Sequence, residues 1–149
     1  MRKKICIVTA NYYPKISRDL VSGSTKELKK SGIKNYKKIM APGVFEIPII
    51  ISKNIKKYDA FIALGCVIKG KTPHFNFISK SAIDAIMNLS IKYGKPIGNG
   101  ILTCLNERQA LARSNPNKKN KGGEATKAAL SILNIKEWTK GKPIPILEL

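Results

Sequence analysis

The chain has 149 residues, 43% of them hydrophobic, and carries 28 Lys and Arg against 9 Asp and Glu, a formal net charge of +19 at pH 7. This length suits one domain, residues 1–149, and the lack of a leader-like N-terminus or of an apolar run near the ~20 residues of a membrane helix predicts a soluble, cytoplasmic protein. The Lys residues are dispersed in pairs and triplets rather than concentrated on one helix, so we expect no nucleic-acid partner.

Strand-like and helix-like apolar stretches follow each other along the chain. The predicted elements in chain order are a strand at residues 5–10, a helix at 17–31, a strand at 38–41, a helix at 45–57, a strand at 59–68, a helix at 72–93, a strand at 97–105, a helix at 106–113 and a helix at 123–133. From Lys136 onward, Pro143 and Pro145 predict an extended tail.

Residue types that favour helix ends mark several of these boundaries. Ser17 is the expected N-cap of the first helix. Thr72 is the expected N-cap of the third helix, with Pro73 at the first helical position. Asn106 is the expected N-cap of the fourth helix.

The alternation of strands and helices predicts a parallel α/β sandwich with helices on both faces of the sheet. Residues 59–68 are almost continuously apolar, which is typical of a central strand that is covered on both sides. Ligands of such folds bind at the carboxyl ends of the strands. The candidate site segments are therefore residues 11–13, 42–46 and 66–74, together with the loops around Asn99 and Arg113.

His74 is the single histidine of the chain, and it stands in the first turn of a predicted helix, after the most apolar strand. A helix N-terminus presents free N–H groups and a partial positive charge, which suit a phosphate. Lys71 and Thr72 stand beside it, so a phosphate and a general acid or base could share one pocket. Taken alone, a single histidine is more often an ordinary surface or core residue.

Residues 65–72 (GCVIKGKT) formally match the phosphate-binding P-loop pattern. Two features argue against a nucleotide site. Residues 66–68 continue the predicted strand, where a P-loop needs glycine-rich backbone, and Pro73 removes an N–H from the helix start. We therefore expect no nucleoside triphosphate to bind here.

Cys6, Cys66 and Cys104 all lie in apolar, strand-like sequence. They form no C-x-x-C pair and no cluster with zinc-ligand spacing. We expect three reduced core residues and no metal site.

Six segments together identify a family resemblance that spans nearly the whole chain. They are residues 7–12 (IVTANY), 41–48 (APGVFEIP), 63–75 (ALGCVIKGKTPHF), 96–103 (PIGNGILT), 109–113 (QALAR) and 120–122 (NKG). In this order and spacing they resemble the lumazine synthase family. The same residues fit this family better than they fit a P-loop.

The resemblance implies a flavodoxin-like three-layer sandwich with a four-stranded parallel sheet. It implies an enzyme of riboflavin biosynthesis that condenses 5-amino-6-(ribitylamino)uracil with 3,4-dihydroxy-2-butanone 4-phosphate, giving 6,7-dimethyl-8-ribityllumazine, phosphate and water. It also implies small-molecule substrates, no cofactor, no metal, no membrane and a homo-oligomer with active sites shared between adjacent subunits.

Residue by residue, His74 matches the general acid/base of the family, and Tyr12 matches the aromatic residue that stacks on the pyrimidine. Val44, Phe45 and Glu46 match the segment that holds the ribityl chain and ring. Cys66, Val67 and Ile68 match the strand end whose backbone reads the uracil edge. Within these segments, the carboxylate of Glu46 would accept hydrogen bonds from ribityl hydroxyls.

On the phosphate side, Lys71 and Thr72 match the pocket at the helix start, and Arg113 matches the phosphate-binding arginine. Lys121 matches a lysine on the ring side of the site. The resemblance implies that Arg113 and Lys121 reach in from the neighbouring subunit.

Three positions depart from the family pattern. Tyr12 stands where Phe or Trp is common, a change that keeps stacking. Asn99 occupies a position often held by an aromatic residue, so we expect it to contact substrate through its backbone. Residues 115–119 (NPNKK) lack the Gly-Thr-Lys-Ala-Gly type of sequence found in capsid-forming members, which favours a plain pentamer over a sixty-subunit shell.

Two alternative functions stay open at this point. One is a catalytically silent homologue that binds lumazine or flavin without turnover. The other is a basic α/β domain that binds nucleic acid, which would show steep salt dependence.

Overall fold

A four-stranded parallel sheet forms the centre of the protein in the computed structural model, which describes residues 2–134. The strands are β1 (Ile5–Ala10), β2 (Tyr36–Ala41), β3 (Ala60–Ile68) and β4 (Ile97–Cys104), and their order across the sheet is β2-β1-β3-β4. All three neighbouring pairs run parallel. This is the strand order of flavodoxin-like folds, which confirms the predicted fold class.

Helices cover both faces of the sheet within the described range. They are α1 (Pro14–Lys30), α2 (Ile47–Asn54), α3 (His74–Tyr93), α4 (Glu107–Ser114) and α5 (Lys121–Leu133), and a 3-10 turn at Val44–Glu46 precedes α2. The first, fourth and fifth helices pack on one face, and the second and third pack on the other. Between residues 2 and 134 no helix combines the length and the apolar character that crossing a membrane requires.

Strand β1 shows why the central strands are apolar throughout. Successive side chains of a strand point to opposite faces. Ile5 and Ile7 pack beneath α1, α4 and α5, whereas Cys6 and Val8 pack against α2 and α3. All four side chains are fully buried, as expected for a strand covered on both sides.

Helices α1 and α3 do not have the N-caps that the sequence predicts. Helix α1 begins at Pro14, not at Ser17, because the fixed φ of proline suits the first helical position. Ser17 lies inside the first turns of the helix instead of capping it. Helix α3 begins at His74, so Pro73 and not Thr72 is its N-cap.

Other boundaries differ by a few residues. The stretch predicted as one helix at 45–57 is the 3-10 turn followed by the shorter α2, β2 begins at Tyr36, and α5 begins at Lys121. The N-cap prediction for α4 is confirmed, since Asn106 accepts a hydrogen bond from the Gln109 N–H. The predicted extended tail from Lys136 lies outside the described residues.

Candidate active site

A cleft of about 580 Å³ lies where β1 and β3 separate, at the carboxyl ends of the strands. Strand β1 pairs with β3 as far as Thr9, opposite Leu64, whereas β3 continues beside β4 to Ile68. Residues 65–68 therefore pair with a strand on one side only, and the other backbone edge of residues 66–68 borders the cleft. Open α/β sheets bind ligands at this kind of switch point.

Loops after three strands, together with the start of α3, line this cleft. The lining residues are 12–13, 42–46, 66–68, 70, 72, 74–75 and 78. The segments that the sequence singled out after β1, β2 and β3 thus meet in one place.

The loop between β1 and α1 carries two aromatic side chains. Tyr12 is 72% exposed, and its ring meets that of Tyr13 edge to face, with 4.9 Å between the ring centroids. Tyr13 is half-buried, and burial raises the pKa of its hydroxyl above the usual value. Tyr12 therefore presents an open aromatic surface at the mouth of the cleft.

The loop after β2 supplies an apolar floor and a carboxylate. Val44 is buried, Phe45 is exposed, and Glu46 is half-buried at the end of the 3-10 turn. The Glu46 N–H donates to the Gly43 carbonyl, and a Cβ on Gly43 would lie 3.2 Å from Glu46 Oε1. Among the described residues Glu46 enters no ion pair, so its carboxylate is available to accept hydrogen bonds from a ligand.

The start of α3 presents an imidazole and free backbone donors. His74 is the first residue of the helix and its side chain is exposed. Pro73 has no N–H, while Asn76 and Phe77 donate to the Pro73 carbonyl. The N–H groups of His74 and Phe75 donate to no backbone carbonyl within residues 2–134, so they can bind an anion in the cleft.

Cys66 lines the cleft with its backbone and not with its thiol. Its side chain is buried on the α1 side of the sheet beside Cys104. Burial, reinforced by the neighbouring Cys104, raises the pKa of Cys66 to about 12. A thiol needs its thiolate form to react, so burial disfavours Cys66 as a nucleophile. The three cysteines are free and buried, as predicted.

Nine of the predicted site residues line the cleft, and four do not. Those inside are Tyr12, Val44, Phe45, Glu46, Cys66, Val67, Ile68, Thr72 and His74. Those outside are Lys71, Asn99, Arg113 and Lys121. Lys71 is exposed and lies between two lining residues, Gly70 and Thr72, so it stands at the rim.

The other three lie elsewhere on the same chain. Asn99 is on the edge strand β4, level with Ala63, and its Oδ1 accepts a hydrogen bond from the Ile101 N–H. Arg113 is in the last turn of α4, where it donates to the Gln109 carbonyl at 3.3 Å. Lys121 pairs with Glu124 at 2.8 Å.

Sequence reasoning included Tyr13 in a candidate segment without giving it a role, and it did not assign Phe75 and Ile78 to the site. Phe75 and Ile78 belong to the apolar stripe of α3, which predicts core residues. In the structure both are half-buried and line the cleft. The sequence signal that could have assigned them to the site is their position within about one helical turn of His74.

Comparison with known proteins gives a consistent result. The sequence model of a family described as 6,7-dimethyl-8-ribityllumazine synthase matches residues 2–137. A 6,7-dimethyl-8-ribityllumazine synthase of Bartonella tribocorum is 43% identical over 142 residues, covering 92% of this chain and 93% of the relative. Proteins of the same name from Novosphingobium aromaticivorans and Zymomonas mobilis are 43% and 41% identical, covering 91% and 90% of this chain and 99% and 96% of their own.

Proposed function

Because this chain belongs to the 6,7-dimethyl-8-ribityllumazine synthase family, we propose that the cleft between β1 and β3 is its active site. The chain is a transferase of riboflavin biosynthesis. It condenses 5-amino-6-(ribitylamino)uracil with 3,4-dihydroxy-2-butanone 4-phosphate to give 6,7-dimethyl-8-ribityllumazine, phosphate and water. One observation carries the site assignment: a single cleft holds an open aromatic ring, a carboxylate and an imidazole, on Tyr12, Glu46 and His74.

The uracil substrate binds at the mouth and floor of the cleft. Tyr12 stacks on the pyrimidine, and the backbone edge of Cys66, Val67 and Ile68 reads the polar edge of the ring. The segment Val44–Glu46 holds the ribityl chain, with Glu46 accepting hydrogen bonds from its hydroxyls. The family resemblance implies this division, and the lining groups support it, since an aromatic face, unpaired backbone groups and a carboxylate meet in the cleft.

The butanone phosphate binds beside the start of α3. Its phosphate accepts hydrogen bonds from the free N–H groups of the helix start. Thr72 lies on the wall of the cleft beside it, and Lys71 lies at the rim. His74 then lies next to the reacting carbons, where its imidazole moves protons during imine formation, phosphate elimination, ring closure and dehydration.

A neighbouring chain completes the site. Arg113 and Lys121 lie outside the cleft of their own chain, so we assign them to the cleft of an adjacent subunit, Arg113 on the phosphate side and Lys121 on the ring side. Asn99 also lies outside the cleft, and its backbone contact with substrate stays a prediction. An apolar groove of about 630 Å³ between α2 and α3 supports this assignment, because Phe45 and Glu46 line both the groove and the cleft. A subunit seated in the groove would border the active site.

Exposed apolar side chains also favour assembly. Phe77 and Ile91 of α3 are 69% and 73% exposed, and Ile49 of α2 is 58% exposed. Exposed apolar surface of this kind is typical of protein–protein contact. We propose a pentameric ring. The cytoplasmic location stays a prediction.

The assignment is tested by supplying the purified protein with both substrates and following lumazine absorbance and phosphate release together. We expect one phosphate for each lumazine. Binding of both substrates without product would instead indicate the silent homologue, and tight, salt-sensitive binding of DNA or RNA would favour the basic nucleic-acid-binding domain. The relatives described above are lumazine synthases, which supports the enzyme.

A further inference from the structure

The hydroxyl of Ser17 ties the end of β1 to the start of α1. Pairing of β1 with β3 ends at Thr9, so Ala10 is the first residue of β1 that has no β3 partner. The carbonyl of Ala10, whose residue is 2% exposed, accepts a hydrogen bond of 2.5 Å from Ser17 Oγ. Ser17 is itself buried. The bond thus satisfies a buried carbonyl at the point where the cleft opens.

The same bond closes the loop that carries Tyr12. Two further hydrogen bonds hold this loop: the Ser17 N–H donates to the Tyr13 carbonyl at 2.9 Å, and the Asn11 N–H donates to the Ala41 carbonyl at 3.4 Å. The Tyr12 ring is 72% exposed. Packing therefore fixes the ring only weakly, and its direction depends on the backbone that carries it.

We propose that Ser17 is a positioning residue for the pyrimidine site, acting through Tyr12. Without its hydroxyl, the Ala10 carbonyl is left buried and unpaired, which favours movement of the loop until the carbonyl reaches water. The Tyr12 ring then samples several directions and must be ordered again each time the pyrimidine binds. This inference rests on the proposed stacking role of Tyr12.

The test compares three variants of the assembled enzyme. In Ser17→Ala, KM for the uracil substrate and the dissociation constant of the lumazine product should rise roughly 2- to 12-fold, the factor for ordering one side chain. KM for the butanone phosphate and kcat should stay near wild type. Ser17→Thr, which keeps a hydroxyl, should restore uracil binding.

Ser24→Ala is the matched control. Ser24 lies on the same helix, is fully buried, and its hydroxyl bonds to that of Thr126 at 2.6 Å. This variant should lower Tm as Ser17→Ala does, and should leave KM for the uracil unchanged. If KM for the uracil rises equally in Ser17→Ala and Ser24→Ala, then Ser17 has only a structural role and the proposal is overturned. The same holds if Ser17→Ala raises KM equally for both substrates.

A double variant separates the positioning role of Ser17 from the stacking role of Tyr12. If Tyr12→Ala weakens pyrimidine binding, then adding Ser17→Ala should weaken it no further, because the ring that Ser17 orders is gone. If the losses of pyrimidine binding in the two single variants add up in the double variant, the positioning role of Ser17 is overturned, while the stacking role of Tyr12 stands. An unchanged dissociation constant in Tyr12→Ala would overturn the stacking role itself. If Ser17→Ala does not fold, Ser17→Cys, a weaker donor, is compared in the same way.

Discussion

His74 occupies the one position in the cleft where an imidazole and the free N–H groups of a helix start come together. We expect His74→Ala to lower kcat by ~10²–10⁴-fold, the usual contribution of general acid/base catalysis, although spontaneous condensation of these substrates reduces the visible loss. Binding of the lumazine product, measured by calorimetry, should stay nearly unchanged. A variant with wild-type kcat would remove His74 from the mechanism.

Arg113 offers a test of the phosphate side. We expect Arg113→Ala to raise KM for the butanone phosphate far more than KM for the uracil, since a charge-assisted contact contributes about 1.5–3 kcal/mol. Inorganic phosphate should compete with the butanone phosphate, and this competition should fade in the variant. Arg108→Ala, an exposed arginine on the same helix, is the control and should change neither KM. Equal effects of Arg113→Ala on both substrates would make Arg113 structural.

At the residue scale, the alternation of strands and helices placed candidate segments after β1, β2 and β3, and the family resemblance then assigned individual residues within them. Sequence could not assign Phe75 and Ile78, since a residue that lines a cleft and one that lines a core share the same helical spacing. The local pattern alone gave no contact for Arg113 and Lys121, and only the family resemblance implied that both reach into a neighbouring subunit, which stays a prediction.

The packing of α5 on β4 depends on glycine. A Cβ on Gly98 would lie 2.2 Å from the carbonyl oxygen of Ala125 in α5. We expect Gly98→Ala to lower the free energy of unfolding by about 1–3 kcal/mol, as overpacking does. Because α5 must shift, KM for the substrates should rise as Lys121 moves. Denaturant melts and kinetics measure the two effects.

Gly70→Ala is the matched control, because a Cβ there meets nothing within 4 Å. Its stability should stay close to wild type. If Gly98→Ala is as stable as Gly70→Ala, then the glycines of β4 do not set the approach of α5.

At the element scale, the N-cap predictions at Asn106 and Ser17 had different outcomes. Asn106 caps α4 as predicted, and Gln109 reinforces it by accepting from the Leu105 N–H at 2.8 Å. Ser17 was wrong as a cap because Pro14, three residues earlier, already starts the helix. A capping residue type thus predicts a helix start only where no stronger signal precedes it.

At the scale of the whole molecule, sequence predicted the alternation of layers but not, from periodicity alone, the order of the strands. The order β2-β1-β3-β4 places the switch point, and with it the cleft, between β1 and β3. The family resemblance implied a flavodoxin-like four-stranded parallel sheet, and the structure gives the order of its strands. The extent of the domain, residues 1–149, stays a prediction.

Assembly decides whether the proposed site is complete. Within one chain, His74 lines the cleft and Arg113 does not. In the closed ring that we propose, each boundary would join the His74 of one subunit to the Arg113 of the next.

The most direct measurement uses mixed rings. His74→Ala and Arg113→Ala proteins, each nearly inactive alone, are refolded together in equal amounts, and mass measurement confirms that the rings are mixed. If subunits join at random, about one boundary in four carries both intact residues, so activity should return to roughly a quarter of the wild-type value per site. Recovery of nothing beyond the two parent proteins would contradict the shared site and would require Arg113 to act within its own subunit.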